Sequence, residues 1–161
     1  MEALLSKLEI SDTVVSADAM HCQKQTAATI RRKGGDYLLT VKGNQPTLLA
    51  SLSDLFAQLS SQNTAQANNL SVLRHEERKS SSHGREEVRR LHVIDANTWL
   101  PKDDPLHEWK DLRSVILVER YRSWNERGVP KESESYTFYI LHQQPGTGRC
   151  PTFGGGAISL E

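Results

Sequence analysis

The runs TVVSADAMHCQK (13–24) and GGDYLLTVKGNQP (34–46) decide how this chain folds. Thr13 to Ala17 is β-branched, mostly apolar and bounded by Ser11-Asp12, so it reads as a short buried strand that delivers Asp18 at its carboxyl end. Cys22 to Lys33 reads as a helix with Ala27 and Ile30 inward and Lys24, Arg31 and Arg32 outward, stopped by Gly34-Gly35. Asp36 to Val41 is a second buried strand. So short a strand-helix-strand succession predicts a parallel pair joined by a right-handed crossover.

Outward from this unit, Leu4, Leu5 and Leu8 recur at helical spacing, marking Glu2 to Leu8 as the end of a helix and a cut edge. After Gly43-Asn44-Gln45-Pro46, the residues Leu48, Leu49, Leu52, Leu55, Phe56 and Leu59 form one helical stripe, with Pro46 suited to the first turn. Ser60 to Asn69 is a polar linker. Leu70 to Lys79 and Arg85 to Asp95 then flank Ser80-Ser81-Ser82-His83-Gly84 as a long, partly exposed hairpin. Pro101 and Pro105 punctuate a loop before Trp109. Val115 to Val118 and Tyr136 to Ile140 predict two more strands, paired across the Asn125 to Pro130 turn region.

The expected class is therefore α/β. A parallel strand-helix-strand core occupies residues 1–60, a β-rich region 61–140, and an irregular, disordered tail 141–161. The tail holds five glycines and two prolines beside an orderly strand, a composition that a reading-frame slip would produce; resequencing the coding DNA tests that.

Composition narrows the function classes. The 161 residues are 37% hydrophobic, enough for one modest domain. Lys plus Arg equals Asp plus Glu at 20 each, so no global field recruits nucleic acid and any DNA binding is local. Cys22 and Cys150 match no metal or redox spacing, which fits a reduced cytoplasm. No apolar run or leader segment points to a membrane or to export. The six histidines form no H-x-x-x-H or H-E-x-x-H pair, and neither a G-x-S-x-G elbow nor a nucleotide-binding loop occurs. Trp99, Trp109 and Trp124 read as core or loop anchors rather than a base-stacking platform.

Asp18 stands where open α/β sheets collect ligands and metals, beyond a strand's carboxyl end. The same carboxylate also suits a cap for the segment beginning near Met20. Lys42, Asn44 and Gln45 follow the second strand on the same edge. They read either as turn and helix-start chemistry or as contacts to a DNA phosphate. On the hairpin, Arg74, Arg78, Lys79, Arg85, Arg89 and Arg90 interleave with Glu76, Glu77, Glu86 and Glu87. That pattern reads as a solvated, cross-strand-paired ribbon, with a DNA-binding alternative in which His83, Arg85 and Arg89 reach the duplex backbone.

The segments VVSADAMHCQKQTA (14–27) and GGDYLLTVKGNQPTL (34–48) resemble the central signature of the H-repeat-associated bacterial insertion-sequence transposases, a DDE family. SHGREEVR (82–89), WKDLRSVILVER (109–120) and YTFYI (136–140) resemble that family's later segments, so the likeness spans about residues 4 to 140. It implies a ribonuclease-H-like fold, here partial, in which three acids hold two Mg²⁺ or Mn²⁺ ions for attack on a phosphodiester. It further implies terminal-repeat DNA as partner and a transposase homo-oligomer. Asp18 matches the second acid and becomes the expected catalytic and metal-binding residue. The first acid sits in an Asp-Gly-Lys-like strand and the third in a His-Trp-x-Ile-Glu-Asn-like stretch, and this chain contains neither. The expectation is a truncated transposase with negligible strand transfer of its own, because one carboxylate holds Mg²⁺ poorly. The competing expectation is a non-catalytic module that binds DNA or a transposase.

Overall fold

A computed structural model describes residues 2–61, 72–82 and 84–142; the polar linker, His83 and residues 143–161 lie outside the described residues. The elements in chain order are α1 (Glu2–Leu5), β1 (Val14–Ala17), α2 (Lys24–Arg32), β2 (Asp36–Val41), α3 (Pro46–Ser61), β3 (Val72–Ser82), β4 (Arg85–Asp95), α4 (Ala96–Trp99), β5 (Ser114–Glu126) and β6 (Val129–Leu141). Short 3₁₀ turns cover Ala19–His21 and Pro105–Glu108. The strands form one mixed sheet in the order β1-β2-β6-β5-β4-β3.

The parallel pair is present: Val14 aligns with Asp36 and Ala17 with Leu39. Between the two strands, α2 lays Ala27 and Ile30 fully buried against the sheet. The two glycines that end it do different work. Gly34 takes a left-handed φ of 77°, open to glycine without a Cβ clash, whereas Gly35 lets the Ile10 carbonyl approach so closely that an added Cβ would sit 2.8 Å from it.

All the described helices that enter the main core pack on one face of the sheet. Leu5, Ile30, Leu48, Leu52 and Phe56 meet Leu39, Val115, Leu117, Phe138 and Ile140 there. Phe56 and Phe138 stack with ring centroids 5.7 Å apart. Residues in the intervening register positions, Leu38, Leu91, Val93, Ile116, Val118 and Leu141, form a second apolar cluster on the other face. Residues 115–118 are apolar throughout because that strand segment serves both clusters.

Several boundaries differ from the sequence reading. The β5 strand runs on through Glu126 and β6 begins at Val129, so the turn narrows from Asn125–Pro130 to Arg127-Gly128. Both turn residues have positive φ, 53° and 83°, as a two-residue hairpin loop requires. Ser80, Ser81 and Ser82 pair with Glu87, Glu86 and Arg85 and belong to β3 rather than to the turn. Polar composition hid these extensions; cross-strand pairing holds them. Leu141, placed by sequence in the irregular tail, closes β6 opposite Leu38 and Ser114 and is fully buried. The helix predicted from Cys22 starts at Lys24, with Cys22 wholly buried beneath the turn before it. Through the β2–β6 pairing the sheet crosses the boundary drawn at residue 60.

Candidate functional site at the end of the parallel pair

Asp18 leaves β1 in extended conformation and caps the 3₁₀ turn: its Oδ1 accepts from the Ala19 N–H at 2.7 Å. The Lys42 Nζ donates to the same oxygen at 3.3 Å. The side chain is 66% exposed, so the carboxylate is presented to solvent. The Ala19 N–H, and after it Lys42, hold its pKa below the ordinary carboxylate value. The cap and the presented acid are one conformation. A side chain that caps a turn with one oxygen leaves the other available.

The expected residues of the second loop converge on this turn. Besides Lys42, Asn44 donates from Nδ2 to the Ala19 carbonyl, and Gln45 donates from Nε2 to the Cys22 carbonyl at 2.9 Å. The Lys-Gly-Asn-Gln-Pro segment therefore clamps the Asp-Ala-Met-His-Cys segment through three side chains. Asn44 and Gln45 contribute turn chemistry, as the plainer sequence reading held. Cys22 anchors the clamp from below; burial pushes its thiol pKa up to about 12.

Among the described residues no group of three or more His, Cys, Asp or Glu side chains is placed to hold a metal ion. At the opposite end of these strands Asp36, Asp111 and His142 are engaged structurally. Arg31 bonds Asp36 at 2.7 Å and Asp111 at 3.4 Å, and His142 Nδ1 meets the Asp111 carbonyl at 2.5 Å.

Arg85 and Arg89 lie on the ribbon formed by the far halves of β3 to β6, and His83 falls outside the described residues. Arg89 aligns with Arg78 on one side and Arg120 on the other. Sequence reading missed Arg120 and Arg122, which stand in this group because β5 continues past Val118. The signal was there: Ile116, Val118, Arg120 and Arg122 continue one period-2 register. Tyr139 lies on the same face as this group. Burial raises its pKa, while Arg120 and Arg89 lower it and Asp18 raises it, so all three charges act on one hydroxyl.

With this arrangement in hand, comparison with known proteins is decisive. The chain is 35% identical over 139 residues to the Escherichia coli K12 protein named H repeat-associated putative transposase YhhI, covering 85% of this chain and 34% of that one. The chain belongs to the H repeat-associated transposase family. Within the family it is also 36% identical over 139 residues to putative protein YbfL of the same strain (85% of this chain, 34% of YbfL). It is 32% identical over 137 residues to putative transposase YncI of E. coli O157:H7 (85% and 33%). This H repeat-associated chain thus spans about a third of the length of the curated relatives it matches. No family model and no solved structure matches it. No helix among its described residues is long and apolar enough to cross a membrane.

Proposed function

We propose that this chain works as part of a DNA transposase, in which Asp18 supplies one of the carboxylates of a phosphoryl-transfer site within a ribonuclease-H-like sheet. The observation that carries the proposal is the place of Asp18: a presented, ionised carboxylate at the carboxyl end of a parallel pair, clamped from three points by the neighbouring loop. Family membership supplies the chemistry. Phosphoryl transfer depends on orientation and charge neutralisation, which a rigidly held acid serves.

The divalent ion that the family implies, Mg²⁺ or Mn²⁺, would neutralise charge on the phosphate and activate the attacking oxygen. The described residues do not by themselves make a site for it, since Asp18 stands with Lys42 and without two companion ligands. The chain's own residues do three things. Asp18 offers one oxygen, the Ala19 N–H and after it Lys42 favour the ionised carboxylate, and Asn44 and Gln45 fix the turn that carries it. Lys42, Arg85 and Arg89 are candidate contacts to DNA phosphates.

That Asp18 has no companion ligands among the described residues also supports a second reading for the chain acting by itself, a module that binds DNA or a transposase without cutting. Incubation with a terminal-repeat duplex and Mg²⁺ or Mn²⁺ separates them. The expected result is binding without cleavage. Cleavage by this chain alone, abolished by Asp18→Asn, would show a complete catalytic site and overturn the module reading. Absence of any binding at low salt would remove DNA as the partner.

A further inference from the structure

Arginine and glutamate alternate along the ribbon sequence, but the sheet sorts them. Paired residues in adjacent strands share a face. One row across the ribbon is Arg78, Arg89, Arg120 and Ser135, the next is Ser80, Glu87, Arg122 and Ser133, and the third is Ser82, Arg85, Trp124 and Lys131. The rows between them face the other way. These carry Glu77, Arg90, Glu119 and Tyr136, then Lys79, Val88, Tyr121 and Glu134, then Ser81, Glu86, Ser123 and Glu132. A chain of zero net charge thus holds an arginine-rich face and a glutamate-rich face back to back.

Among the described side chains of these three rows, Glu87 is the one acid beside six cations. Glu87 serves Arg89, Arg122 and Arg120 together; the Arg122 Nε bonds it at 2.5 Å, and the Arg120 Nε comes only to 3.8 Å. That buried Arg120 Nε has no hydrogen-bond partner among the described residues. Burial, then Arg89, holds Arg120 below its ordinary pKa against the opposing pull of Glu87. Successive rows lie about 7 Å apart, so the cations form a field broad enough for an extended polyanion. Arginine's planar fork is suited to phosphate oxygens. The face is continuous with the register of Leu91, Val118 and Tyr139, on the side of the sheet opposite the core that receives α2 and α3.

We propose that this arginine-rich face of the β3–β6 ribbon is a contact surface for the phosphodiester backbone of duplex DNA, binding without base specificity and leading the duplex toward Asp18. The proposal rests on the transposase reading and extends its candidate contacts Arg85 and Arg89 to a whole face. Arg120 and Arg122 are its central groups, Arg78, Arg89, Arg85 and Lys131 extend it, and Glu87 competes with phosphate for the arginines. The opposite face makes no contact.

The test is fluorescence anisotropy with a 30-base-pair duplex of arbitrary sequence, titrated with NaCl, on the full chain and on variants whose circular dichroism is unchanged. Arg120→Gln with Arg122→Gln should weaken binding by about tenfold at about 0.1 M salt and lower the log–log salt slope by about two. The exposed pair Arg85→Gln with Lys131→Gln should act in the same direction, which guards against a folding defect at Arg120. Lys79→Gln with Arg90→Gln, on the glutamate-rich face, should leave affinity unchanged, and Glu87→Gln should tighten it. Equal losses from the two faces, or no gain from Glu87→Gln, would overturn the proposal. Salt-sensitive self-association lost in the Arg120/Arg122 variant, with DNA binding intact, would assign the face to a second copy and overturn it likewise. Since Asp18→Asn leaves this face untouched, binding that is indifferent to the arginines refutes this inference without touching the role of Asp18.

Discussion

The Asn44 side-chain amide donates to the carbonyl of Ala19, tying the turn after β2 to the turn after β1. Ala19 is buried, and its carbonyl accepts from Asn44 as a second donor beside the Cys22 N–H of the turn itself, which lies at 2.9 Å. The bond explains why two segments separated by more than twenty residues act as one unit around Asp18.

Asn44→Ala should therefore cost about 1 kcal/mol of stability, the usual worth of one neutral hydrogen bond. Urea unfolding measures it. Asn44→Asp, which replaces the donor by an acceptor facing a carbonyl and sets a second negative charge near Asp18, should cost more. Equal stability of both variants and the parent would mean that the clamp is not formed in solution.

The titration of Asp18 should lie below the ordinary aspartate value of about 3.9. The Ala19 N–H is the first cause and Lys42 the second, so Lys42→Met should raise the midpoint only part of the way back. Because the folded value is depressed, the stabilisation from this carboxylate is present above about pH 4 and is lost as pH falls through the folded midpoint. Carbon-detected NMR of the Asp18 carboxyl follows it directly; a midpoint at or above the ordinary value would contradict the capped geometry.

Cys22 should be inert in the folded chain. In a Cys150→Ser background, a thiol reagent at pH 8 should label it only as fast as the protein opens, while urea exposes it fully. Its raised folded pKa has the corresponding linkage. The neutral thiol's contribution is complete below the unfolded value of about 8.5 and declines as pH rises toward about 12. Rapid stoichiometric labelling under native conditions would show that the turn over it is open.

The two glycines that end α2 should respond differently to alanine. Gly34→Ala meets a left-handed backbone and should cost about 1 kcal/mol. Gly35→Ala drives a Cβ to 2.8 Å from the Ile10 backbone carbonyl, which cannot rotate away, so it should cost more, about 2 to 3 kcal/mol. Denaturant midpoints of the two variants rank them, and the reverse order would contradict the packing described.

How much of this was legible beforehand depended on whether the signal was local. The parallel pair, the α3 stripe and Asp18 at its strand end were readable because apolar period and glycine stops sit within a few residues of one another. The ends of β3, β5 and β6 were not, because Ser80–Ser82 and the residues after Val118 are polar and are held as strand only by partners far away in sequence. The role of Asn44 and Gln45 was half readable: turn chemistry was evident, but its targets, the Ala19 and Cys22 carbonyls, were not. The sorted faces of the ribbon needed the cross-strand register, which aligns Arg89 with Arg120 and Arg90 with Glu119. In the linear sequence the opposite charges simply interleave.

The proposed function stands or falls with Asp18 as part of a DNA phosphoryl-transfer site. Mg²⁺ and Mn²⁺ bind through one or two carboxylates when substrate phosphates complete the shell, so the most direct measurement is terminal-repeat duplex affinity with and without Mn²⁺, for the parent chain and Asp18→Asn. Mn²⁺ should tighten binding by about tenfold in the parent and leave that of Asp18→Asn unchanged. The same Mn²⁺ effect in both proteins would contradict that role.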